Sequence, residues 1–217
     1  MEKAMFEKNF LEHLNKNFDH YSKYFVFEYQ VFYEFRPVVY QISKCLILEL
    51  DYAVITLTNH LLERLLKLAL ISKAVGIKPI PKENWNTVFA GPQIQYGSLN
   101  LGNSIELCKK ENLIDATEKD FLFEIVRELM RNGFSHADPG KVLSSLPDEI
   151  SMFEGSFSEL STPLKEIKLN PKIIPPLQWI GMEQFAKTNA SSYFDFVFKL
   201  IEKIETRLAE MEKLRTT

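Results

Sequence analysis

Apolar residues return at steps of three, four or seven through the first part of the chain: Phe6, Phe10, Leu14, Phe18, Tyr21, Phe25 and Phe32. Glu7, Lys8, Glu12 and Lys16 fall on the other faces. This is the signature of one amphipathic helix with an aromatic stripe. Aromatic residues are dense from 18 to 40; at helical spacing they read first as core, and second as a platform on which bases stack. Pro37 then imposes a break or a kink, because proline lacks the amide hydrogen that a helix interior needs.

Residues 38–74 carry the strongest helical pattern, as one helix or two with a bend near Leu50 and Asp51. In the second half, Leu57, Leu61, Leu62, Leu65, Leu66, Ala69 and Leu70 keep the period, and Gly76, Pro79 and Pro81 end it. An irregular connection with Gly91-Pro92, Gly97 and Gly102 follows, then a short helix over 104–112. Thr117-x-x-Asp120 offers a helix-starting cap before Phe121, Leu122, Ile125, Leu129 and Met130. Gly133 weakens this helix and Asp138-Pro139-Gly140 stops it. Residues 141–176 hold five prolines and no clear period, leaving a short hairpin or a short helix both open. The last helix spans 190–214, with Phe194, Val197, Phe198, Ile201, Ile204 and Leu208 on one side and a Lys/Glu-rich exposed face from 199 to 215. The pattern predicts an all-α bundle.

Composition adds limits. Hydrophobic residues make up 46% and charged residues 25%, enough for a packed core. The net charge of −3 gives no general attraction for polyanions, so nucleic-acid contact needs a local patch. Cys45 and Cys108 have no metal-binding or redox spacing and read as buried thiols. The apolar stretch 45–70 is interrupted by Glu49, Asp51, His60, Glu63, Arg64 and Lys67, which excludes a membrane span. The opening residues lack the features of a signal peptide, so a cytoplasmic location is expected.

The candidate chemistry lies in Arg-Glu-Leu-Met-Arg-Asn-Gly-Phe-Ser-His-Ala, residues 127–137. Arg131, followed by Asn132 and with His136 five positions on, resembles the Arg-x(4–6)-His motif of HEPN domains. Residues 51–66 resemble that family's first core helix with its acidic residue, and 190–204 its last. The resemblance covers about half of the chain. It implies a helical bundle, 41–140 with 182–215; an aromatic-rich helical extension (1–40) and an irregular insertion (141–181) lie outside the resemblance, and the whole is expected as one domain spanning 1–217. It also implies a metal-independent endoribonuclease without cofactor, commonly homodimeric. A toxin or defence setting with a restraining protein partner, such as an antitoxin, goes with it. Related bundles also serve as catalytically silent modules that bind protein or nucleic acid.

The residue types suit RNA cleavage on physical grounds. A histidine, with a pKa near 6.5 when unperturbed, moves protons at neutral pH. Arginine stays charged and presents a planar fork to phosphate oxygens. Asn132 can orient His136 or hold a phosphate. One imidazole does not serve readily as both acid and base, so two copies facing across a two-fold axis would complete the site. On a regular α-helix, however, five residues rotate a side chain by about 500°, leaving positions 131 and 136 about 140° apart. Glu63 is a candidate to hold Arg131 by a charge-assisted pair, or alternatively to pair with Lys67 one turn away. His60-x-x-Glu63 offers two metal-ligand types without a third, so no metal site is expected. Arg64, Lys67 and Lys73 head the most basic stretch, read either as an RNA-backbone contact or as a solvated helix face.

Overall fold

The computed structural model describes residues 2–135, 138–155 and 163–215. The described chain is mostly helical with one small two-stranded sheet. Its centre is α3 (Asp51–Val75), whose Val54, Ile55, Leu61, Leu62, Leu65, Leu66 and Ala69 are fully buried. The most extensive packing is against α8 (Pro175–Leu214), through Tyr193, Phe194, Val197, Ile201 and Ile204. Around this pair lie α2 (Arg36–Ile47), α4 (Trp85–Tyr96) and α5 (Leu101–Lys110). Among the described residues no helix is long and apolar enough to cross a membrane.

Two helices fill the 38–74 region. Pro37 sits in the first turn of α2, where its missing amide hydrogen costs no helical bond. The break before α3 is a left-handed cap: Glu49 has φ 55°, Leu50 N–H donates to Cys45 C=O at 2.8 Å, and Glu49 N–H to Leu46 C=O. A glycine would be the usual choice there. Glu49 is held instead from α1 (Lys3–Tyr21), by Lys16 Nζ at 2.6 Å and Asn17 Nδ2 at 3.1 Å.

The aromatic stripe does not continue as one helix to Phe32. α1 stops at Tyr21, and none of its residues is buried; Phe6, Phe10 and Phe18 are exposed. The buried aromatics are Tyr24, Phe32 and Phe35, in the irregular segment that follows. That segment keeps its shape because Glu205 of α8 accepts three backbone N–H groups, from Gln30 (3.2 Å), Val31 (2.8 Å) and Phe32 (2.7 Å). A carboxylate only 3% exposed thus replaces the hydrogen bonds a regular element would have made.

Three further expectations are corrected. The connection around Gly91-Pro92 is helical, with Pro92 inside α4, whose residues are all at least partly exposed. The cap before the motif helix is Asp115 rather than Thr117. Its side chain accepts from Glu118 N–H while Glu118 accepts from Asp115 N–H, both at 2.8 Å, starting α6 (Ala116–Phe121). The described residues of 141–181 hold the short hairpin that the sequence left open. They include the end of α7 (Pro139–Val142), the antiparallel pair β1 (Ile150–Glu154) and β2 (Lys165–Leu169), and the first turns of α8. α8 starts fifteen residues before the expected position 190, because Pro175-Pro176 suit a first turn and Met182, Ala186 and Ala190 extend the buried stripe.

Candidate functional site

α6 runs directly into a π-helical segment, Leu122–Ser135, that carries Arg131 and Asn132. Its i→i+5 winding widens the turn. Leu122, Val126, Met130 and Phe134 are buried at every fourth position, whereas Phe121 and Ile125, expected on the core face, are exposed. Gly133 is buried and packs against α7, where an added Cβ would come within 2.9 Å of Val142. His136 lies outside the described residues.

Two side chains of α3 fix where the π-helical segment crosses it. Asn59 Nδ2 donates to the carbonyl of Met130 at 2.8 Å, and Asn59 Oδ1 accepts from the Tyr193 hydroxyl of α8 at 2.6 Å. Burial, and next to it the Glu63 carboxylate, holds the Tyr193 phenol well above its ordinary pKa, so it stays a donor. One helical turn along α3 from Asn59, Glu63 Oε1 accepts from Arg131 Nε at 2.9 Å. Thus successive residues of the π-helical segment, Met130 and Arg131, are each held by α3, one through its carbonyl and the other through its guanidinium. Glu63 pairs with Arg131, as one of the two sequence alternatives had it. The side chains of both remain about a third exposed, at 32% for Arg131 and 29% for Glu63.

Asn132 turns elsewhere. Its side chain hydrogen-bonds the Glu128 carboxylate, which Arg127 also holds at 2.6 Å and Lys141 approaches at 3.5 Å. The Arg127 hydrogen bond, with help from Asn132 and Lys141, keeps the Glu128 carboxyl below its ordinary range. The basic candidates on α3 differ in their surroundings. Arg64 is exposed, Lys67 is half-buried, and Lys73 is engaged by Glu111, through the carboxylate at 2.7 Å and the backbone carbonyl. His60 is exposed on α3, while Glu63 is committed to Arg131. Among the described residues no three His, Cys, Asp or Glu side chains converge on a metal position.

No family model, curated protein or solved structure matches this chain. What the site can do is therefore argued from its residues. Asn59 and Tyr193, which hold the π-helical segment in place, were not evident from the sequence. The available signal was a single amide, Asn59, inside an otherwise apolar helical face. A buried amide needs partners, and that need marks a crossing point.

Proposed function

We propose that this protein is a metal-independent endoribonuclease of the HEPN type, acting through Arg131 and His136. The observation that carries the reading is the Arg131–Glu63 pair, set beside the Asn59–Met130 bridge. An ion pair made only for stability gains little when a third exposed. An arginine oriented by a carboxylate on a rigid neighbouring helix, with its surface still accessible, suits a phosphate that arrives from solvent. Arg131 would bind the non-bridging oxygens of the scissile phosphate. His136 would move a proton, either from the 2′-hydroxyl as it attacks phosphorus or to the departing 5′-oxygen. A second protomer in a homodimer would supply the other imidazole, and Asn132 would support the π-helical segment through Glu128. RNA is the partner this implies, and a restraining protein such as an antitoxin fits the family's usual setting, inside the cell.

The test is incubation of the protein with labelled tRNA and mixed cellular RNA in EDTA, beside Arg131→Ala and His136→Ala. Cleavage that survives EDTA and vanishes in both variants is expected. A folded, dimeric protein that cleaves none of these RNAs would move the reading to a silent binding module. The exposed aromatic residues of α1 and α4 are the surface that favours this second reading.

A further inference from the structure

Next to Glu63 on α3, Arg64 opens onto a groove of about 980 Å³ that the ribonuclease reading does not use. One residue along a helix is a rotation of about 100°, so the groove lies on the face adjoining the Arg131 pair. Leu68, Ile71 and Ile77 line it, α4 provides Trp85 and Phe89, and residues 30–34 bring Val31 and Tyr33.

The groove is built rather than incidental. Residues 30–32 are held by the buried Glu205 carboxylate, which positions the Tyr33 side. Trp85 Nε1–H donates to the Ile80 carbonyl at 3.0 Å, fixing the indole. Despite these anchors, Trp85 is 47% and Tyr33 72% exposed. The polar lining is the amides of Gln30, Asn86 and Gln93, the Ser72 hydroxyl, the cations Arg64 and Lys78, and one acid, Glu34. A fixed, uncovered indole beside an exposed phenol, with amides and a guanidinium in the same groove, is what a nucleotide requires: faces to stack on, edge partners for the base, and a fork for the phosphate.

We infer that this groove binds a nucleotide flanking the scissile position of single-stranded RNA, its base stacked on the Trp85–Tyr33 rim and its phosphate on Arg64. The placement relative to the scissile phosphate rests on the ribonuclease reading; the groove's affinity for the strand does not. A duplex is excluded by the same chemistry, since paired and stacked bases do not offer their faces.

Trp85 and Trp179 are the two tryptophans, so Trp179→Phe leaves Trp85 as sole reporter. The full chain carrying that change is titrated with 2′-O-methylated hexauridylate and hexaadenylate, which lack the attacking hydroxyl and stay intact. Saturable quenching of Trp85 is expected, weakened about tenfold by Arg64→Ala or Tyr33→Ala and reduced by salt. Unchanged Trp85 emission up to millimolar oligonucleotide would overturn the inference, as would quenching indifferent to Arg64→Ala. AMP binding as tightly as the hexamer would overturn the strand. Self-association abolished by Trp85→Ala, without any oligonucleotide response, would assign the groove to a second copy instead. Because the probe is not cleaved, quenching without nuclease activity would sink only the catalytic reading, and RNA cleavage without quenching only the groove.

Discussion

Glu205, Glu118 and Glu63 each meet positively polarised partners, and they do so in different surroundings. Glu205 and Glu118 are 3% and 4% exposed. The first gathers the amides of residues 30–32. The second binds Arg207 Nη1 at 2.6 Å and Lys203 Nζ at 2.9 Å while closing the α6 cap. Glu63 holds Arg131 with nearly a third of its side chain in reach of solvent. Removing Glu205 strands the buried amide of Phe32, and removing Glu118 opens the α6 cap, so these two carboxylates hold the fold. The third pair gives up little stability when broken and leaves a cation accessible. The difference separates charge that is buried to hold the fold from charge that solvent still reaches.

The sharpest way to break this comparison is Glu205→Ala. It strands the amides of Gln30, Val31 and Phe32, and we expect a loss of about 3–5 kcal/mol in urea unfolding. A loss below 1 kcal/mol would mean the segment holds itself in place. Glu118→Gln should cost about 1.5–3 kcal/mol, the range for hydrogen bonds to charged groups. Burial raises the Glu118 pKa, but the Arg207 hydrogen bond, the Asp115 N–H and Lys203 outweigh it, and the carboxyl ends below its ordinary 4.5. With the folded value depressed, its contribution is complete above the unfolded value and is lost as pH falls through the lower folded one. Wild type should therefore lose part of its advantage over Glu118→Gln between pH 5 and strongly acidic solution, measured by thermal melts across that range. At the small end, Phe10→Ser on the open face of α1 should stay within about 0.5 kcal/mol of wild type. A larger loss would show that this face is covered in solution.

Legibility from sequence follows the same division. α3 was readable because its apolar positions nearly encircle it between a break at Glu49 and a stop at Gly76. The Arg131–Glu63 pairing was among the alternatives because oppositely charged residues on two periodic helices are natural partners. The π-helical winding of 122–135 was not readable, since no residue type announces an i→i+5 bond. Glu205 was hidden for a related reason. In a Lys/Glu-rich stretch it looks like one more solvated charge, and only the path of residues 30–32 reveals what it faces. α4 was missed because Gly91-Pro92 reads as a breaker. His136, the second half of the motif, lies outside the described residues, so its placement relative to Arg131 rests on the sequence spacing.

On the proposed ribonuclease reading, Glu63 matters through Arg131 for cleavage rather than for folding. A double-mutant cycle of Glu63→Gln and Arg131→Ala, read in both RNA cleavage in EDTA and urea unfolding, separates the two. We expect a fall in cleavage of at least about tenfold for Glu63→Gln, nothing further when it is added to Arg131→Ala, and stability changes of no more than about 1 kcal/mol. Glu63→Gln cleaving RNA like wild type while unfolding several kcal/mol more easily would contradict it, and would place this pair with Glu205 and Glu118 as part of the scaffold.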